Sequence, residues 1–211
     1  MTDDAERDRV ALECRKTVSE MATVFVRRDP GALSYVSRVA RESGLSAGDL
    51  MTSSAWLVGD VLNSGIATAT GGRPKRAAVL EAWHHFAREV RDRLAASLDK
   101  LAAEQIRAGM PEPEVRRTIA ESGAQTDAGL ATALPLLTAF LTGDETAFRR
   151  GLAVAARKKQ LTRAVLATQL IIRDLFETSV NTLVGGAASD EKIQREWETF
   201  MARRAASNRR V

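Results

Sequence analysis

From Ala5 to Val211 apolar side chains recur at three- and four-residue spacing, and no stretch holds the two-residue alternation of a half-buried strand. That periodicity predicts an all-α fold, a multi-helix bundle. Aromatic residues make up 5% of the chain against 45% for the wider hydrophobic set, so the core must be built from Ala, Leu and Val, which suit close helix packing. At 211 residues the chain can form one bundle or two helical halves, 1–110 and 111–211, without a metal or disulfide to hold it.

Caps and breakers divide the chain. A first helix should run from Asp3 to Arg28, with Asp29 capping a second whose first residue is Pro30 and which stops near Ser43, before Gly44. Ser46 and Asp49 form a capping box for a third helix reaching about Asn63, and the small polar run 63–72 reads as a flexible connection. Pro74 opens a long helix whose stripe Val79, Trp83, Phe86, Val90, Leu94, Leu98, Leu101 extends to about Ala108. Pro113 starts a short helix ending near Gly123, and Thr126-Asp127 caps another that Pro135 should bend before Gly143. Thr142 and Glu145 form a further capping box, a break is expected near Lys159, and Gly185-Gly186 ends the helical region. Ser189-Asp190 begins a last helix with Ile193, Trp197 and Phe200 on one face, which makes Trp197 a docking residue. The Arg-Glu-Ser-Gly ending at Gly44 and the Ala-Glu-Ser-Gly ending at Gly123 suggest two related halves.

Little in the sequence points to catalysis. Cys14, the only cysteine, lies in helical register with Val10, Val18, Met21 and Phe25, so it reads as a core thiol in a reducing compartment. Glu81-x-x-His84 is half of a di-iron carboxylate motif, but His84 and His85 are the only histidines and no second half exists. Most Asp and Glu residues sit at helix starts or beside Arg. A non-enzyme without cofactor or metal is expected. Met1-Thr2-Asp3-Asp4 is acidic and unlike a secretory signal, and the apolar runs at 131–141 and 164–172 are too short for a bilayer, so a cytoplasmic protein with no membrane partner is expected.

The positive residues carry the functional reading. The formal charge is +4, the isoelectric point is near 9.6, and Arg outnumbers Lys, which suits bidentate contact with phosphate. Gly71-Gly72-Arg73-Pro74-Lys75-Arg76 delivers three cations to a helix start, although it is no Walker loop. Arg149, Arg150, Arg157, Lys158, Lys159 and Arg163 form a second group, in which helical spacing aligns Arg150 with Arg157 and Lys159 with Arg163. The terminus adds Arg203, Arg204, Arg209 and Arg210. Basic groups on an aromatic-poor helical scaffold imply contact with the backbone of single-stranded RNA or DNA rather than with bases.

The basic segments Arg73 to Arg76 and Arg149 to Arg163 on a compact helical chain resemble the small helical subunit of multi-subunit class 1 CRISPR effector complexes. That resemblance implies a non-catalytic subunit that lines a guide or target strand in antiviral defence and packs against other subunits, including copies of itself. Two rivals remain open. Val36 to Leu50 partly resembles a helix-turn-helix, with Val39, Ala40, Gly44, Leu45 and Leu50 in place, which would make the chain a transcription regulator. Its would-be reading helix offers Gly48, Asp49 and Thr52 but no Arg or Lys. A protein-binding helical adaptor, its Arg clusters merely solvated, is the other.

Overall fold

The structure, a computed structural model, describes residues 3–29, 31–107 and 109–208. Among them the order is α1 (Asp3–Val26), α2 (Ala32–Glu42), α3 (Ala47–Thr70), α4 (Arg76–Arg107), α5 (Glu112–Thr142), α6 (Glu145–Arg157), α7 (Leu161–Val184) and α8 (Asp190–Asn208), with no strand. The fold is an all-α multi-helix bundle.

Two helices form its centre. α3 and α7 run parallel: Met51 meets Thr168, Ser54 meets Gln169, and a Cβ built on Gly65 would lie 2.5 Å from the Ser179 hydroxyl. Both are rich in small and aliphatic residues, which lets them approach closely over their whole length. α4 and α5 make an antiparallel hairpin, tied where Arg76 donates to the Thr142 carbonyl and where Trp83 Nε1 donates to Thr138 Oγ1 at 2.9 Å. α8 lies antiparallel on α1: Trp197 Nε1 donates to Thr23 Oγ1 at 3.0 Å and its ring meets Phe176 edge-on at 5.0 Å, so Trp197 is a docking residue.

One hydrophobic cluster runs from Val18 to Phe200 and draws on both sides of residue 110, so the segments 1–110 and 111–211 share a core. Of the described residues between 95 and 128, none joins it. There α4 and α5 extend past the bundle as a two-helix arm, closed by its own seam at Leu98, Val115 and Gly123.

Several boundaries depart from expectation, each for a local reason. The run 63–70 is not a connection but the last turns of α3. Its small residues give α7 room at Gly65, and Thr68 and Thr70 bond back to the Ser64 and Ile66 carbonyls at 2.8 Å. Gly31 stands at the N-cap of α2, while Asp29 contributes only its carbonyl, accepting from Ala32 at 3.1 Å; Pro30 lies outside the described residues. No break follows Gly123. α5 continues from Glu112 to Thr142, because Ala124-Gln125 sustain the helix and Gly123 faces Leu98. Gly44, by contrast, takes φ +71 and ends a helix, so the two Glu-Ser-Gly segments adopt different structures. Pro135 sits inside α5 and, lacking an N–H, leaves the Ala131 carbonyl without its helical donor. Thr142 is not a cap, since its hydroxyl donates to the Thr138 carbonyl at 2.9 Å while Asp144 Oδ1 accepts from Ala147 N at 2.8 Å. Ser46 caps α3, with Asp49 N donating to Ser46 Oγ at 3.0 Å, while the Asp49 carboxylate accepts from the Ser46 hydroxyl at 2.6 Å in place of the backbone N–H of a full box.

Candidate nucleic-acid interface

The largest excess of positive charge sits where α6 turns into α7. Asp144 caps α6, Phe148 and Ala155 anchor it to the core, and Gly151 lets it close on α5, where a Cβ would lie 2.7 Å from Leu136 Cδ2. The helix ends at Arg157, and Lys159, in a left-handed conformation with φ +55, redirects the chain into α7. Because Lys159 lies outside both helices, it does not share a helical face with Arg163, contrary to the spacing argument. Arg150 and Arg157 do share one, opposite the buried Phe148. Residues 143–163 hold six Lys and Arg against two Asp and Glu, an excess equal to the formal +4 of the whole chain.

Those cations are free of local neutralisation to different degrees. Arg149 pairs with Glu145 at 2.5 Å, but both side chains are about three-quarters exposed, so the pair is weak. Arg150, Arg157, Lys158, Lys159 and Arg163 are exposed, and no carboxylate of the described residues forms an ion pair with them. Arg163 stands where α5 crosses α7, its carbonyl oxygen 2.7 Å from a Cβ placed on Gly129.

The other basic groups are not gathered with this corner in the same way. Arg73 and Lys75 are exposed in the turn before α4. Arg76 instead sits on the carbonyl end of α5, its guanidinium 2.5 Å from the Thr142 oxygen, where a cation offsets the negative end of the helix dipole. This brings the 73–76 turn to the end of α6 that bears Arg149. Arg203 is exposed on α8, but Arg204 is held between Asp60 Oδ2 at 2.6 Å and Ser19 Oγ at 3.1 Å with 12% of its side chain exposed. Arg204 therefore clamps α8 to α1 and α3. Arg209 and Arg210 lie outside the described residues.

Trp56 was not singled out by its sequence. Asp49, Trp56 and Asn63, spaced by seven, share the outward stripe of α3, and a tryptophan in a polar stripe was the available signal. Trp56 is 54% exposed, with its ring edge-on to Phe140 at 5.0 Å, and Phe140 in turn meets Phe148 of α6 at 5.4 Å. Nearer the start of α3, a shallow groove of about 560 Å³ lies between α3, α6 and the start of α7, its lining including Ser46, Gly48, Ala153, Ala156, Lys159 and Leu161.

The remaining candidate groups have structural surroundings. Val36, Ala40 and Leu50 of the helix-turn-helix-like segment are buried, but α3 continues with Met51, Ser53, Ser54 and Ala55 buried as well. The would-be reading helix is thus the central helix of the bundle. Burial, with Asp49 and Glu13 nearby, pushes the Cys14 thiol up, away from the range of an activated nucleophile. His84 is exposed and His85 Nε2 lies 3.3 Å from Glu89 Oε1. Among the described residues no group of three or more His, Cys, Asp or Glu is placed to hold a metal ion, and no helix is long and apolar enough to cross a membrane.

A half-buried polar patch on α7 lies away from this corner. Arg93 Nε is 3.2 Å from Asp174 Oδ2, and Arg173 and Arg28 each lie 3.3 Å from Glu177. Burial outweighs Arg93 and pushes the Asp174 carboxyl up. Comparison of the chain with protein-family models, with curated proteins and with solved structures found no match.

Proposed function

We propose that this protein is a non-catalytic helical subunit of a nucleoprotein assembly, which holds the phosphate backbone of a nucleic acid on the α6–α7 corner without reading its sequence. The observation that carries this is the excess of six Lys and Arg over two Asp and Glu in residues 143–163, on side chains whose cations are exposed and largely without carboxylate partners. Such a patch attracts a polyanion through counterion release, with affinity that falls steeply as salt rises. The apolar helix faces would meet other subunits. The more specific form, the small subunit of a class 1 CRISPR effector complex in the cytoplasm, rests on the resemblance of the basic segments. A helix-turn-helix regulator fits less well, because α3 has its first turns packed in the core and presents no cation outward there.

Arg150→Glu with Arg157→Glu tests the proposal, since neither side chain touches the core. Affinity for unrelated strands should fall about tenfold near 0.1 M salt, and the salt slope should flatten by about two. Binding that survives the double reversal unchanged removes this face from the interface.

A further inference from the structure

We infer that Trp56 is a base-stacking platform, so that the strand held by the basic corner is single-stranded, its bases laid on the indole while its phosphates follow Arg149 and Lys159. This rests on the backbone-binding reading above and adds what the ligand's bases do.

The three tryptophans are treated differently by the fold. Trp83 and Trp197 are 0% and 1% exposed, whereas Trp56 is 54% exposed. Leaving so large an apolar surface in water is unfavourable. Trp56 is nonetheless held in one orientation, because its edge-on contact with Phe140 is backed by Phe148. A ring fixed on one side and open on the other is what stacking on a base requires.

Cations lie on α6, the helix whose Phe148 backs that ring. Phe148 precedes Arg149, and Arg149, Ala153 and Ala156 follow one another at four- and three-residue spacing, so they share a stripe of α6. Ala153 and Ala156 line the groove opposite Ser46 and Gly48, which places Arg149 on the side of α6 that faces α3. Lys159 lines the same groove. Trp56 lies about 15 Å along α3 from Ser46 at the usual helical rise, outside the groove, whose small lining residues leave room for a sugar-phosphate chain. Of the neighbouring carboxylates, Asp60 holds Arg204, Asp144 caps α6 and Asp49 accepts from the Ser46 hydroxyl at 2.6 Å, while the exposed Glu145–Arg149 pair must open for Arg149 to take a phosphate. A duplex keeps its base faces stacked on one another, so only an unpaired strand can use Trp56 together with these cations.

The test uses the full chain and four probes of equal length: oligo-dT, oligo-U, an abasic strand and a random duplex. Tryptophan emission and affinity are both read. Both unpaired base-bearing strands should quench emission on binding, with Trp56→Phe removing most of that quench and Trp56→Ala weakening their binding roughly tenfold. The abasic strand and the duplex should bind without quenching and should not distinguish Trp56→Ala from the parent. Equal affinity for abasic and base-bearing strands, with no quench but with Arg150→Glu/Arg157→Glu still weakening all of them, overturns the platform and leaves the backbone reading standing. Emission from Trp56 that shifts with protein concentration instead of with added strand means that a second copy covers the ring, and also overturns it. If no probe binds at low salt, the backbone reading fails and the platform fails with it.

Discussion

The central pair α3 and α7 and the distal arm of α4 and α5 are both helix pairs with apolar seams, yet they are stabilised differently. In the centre, Leu50, Leu57, Val58, Ile171 and Ile172 are buried by neighbours on several sides, and even polar Ser54 and Gln169 are enclosed and bonded to each other. In the arm, Val115 is buried but the rest of the described seam is only half-covered, and surface pairs such as Arg116 with Glu112 do little more than decorate it. Helical periodicity alone does not distinguish them. What differs is how many other helices each seam can reach, and the arm should therefore open locally at lower free energy than the centre.

Truncating one side chain in each region gives the widest separation. Ile171→Ala should destabilise by about 3 kcal/mol in urea unfolding, and Val115→Ala by about 1 kcal/mol, because the arm can close around the lost volume. Equal losses would mean that the arm is as tightly integrated as the centre.

A finer contrast lies within α5, where two glycines six residues apart face opposite demands. A Cβ on Gly129 would fall 2.7 Å from the Arg163 carbonyl oxygen and 2.9 Å from Ala167 Cβ, whereas one on Gly123 would meet only Leu98 Cδ1 at 3.7 Å. Gly129→Ala should lower stability by about 1 to 3 kcal/mol through overpacking of α5 on α7. Gly123→Ala should raise it by about 0.5 to 1 kcal/mol, since alanine favours the helix and fits. Thermal melts of the two variants should shift in opposite directions.

The smallest effect concerns Asp174, whose carboxyl is pushed above its ordinary value of 3.8 chiefly by burial. The folded state then holds this proton more tightly than the unfolded chain, so the contribution of Asp174 to stability grows as pH falls through the raised value and levels off below 3.8. Unfolding of the parent and of Asp174→Asn, compared across that window, should show the parent gaining relative to the variant as the solution is acidified. A parallel pH dependence would place the charge of Asp174 in an environment no different from water.

The fold was legible wherever a cap and a periodic stripe agreed. Ser46 with Asp49, the break at Lys159, the end at Gly185 and the face Ile193, Trp197, Phe200 all follow from local chemistry. Two failures come from reading a glycine inside a helix as punctuation: Gly65 is required small by a distant helix, and Gly123 simply continues α5 with room for a methyl group. Gly65 accommodates Ser179, more than a hundred residues away, and Gly123 meets Leu98 across the hairpin, so neither reveals its role to its neighbours in sequence. At the α6–α7 corner, the exposed cations between Arg149 and Arg163 were legible in the sequence. That Arg76 and Arg204 serve helix ends and interhelical contacts could not, because their partners, Thr142, Asp60 and Ser19, are brought to them by tertiary packing. Trp56 carried a weak signal in its polar neighbours, which apolar spacing alone passes over.

The parallel arrangement of α3 and α7 has a consequence in time. Ser54 and Gln169 are 115 residues apart, so a chain growing at about 5 to 20 residues per second has α3 waiting about 6 to 23 s for its partner. Over that interval the most apolar face of the molecule has only earlier helices and the emerging hairpin to cover it. Synthesis rate, and any factor that shields nascent apolar surface, should therefore govern the yield of folded protein more strongly than the final stability of the bundle does.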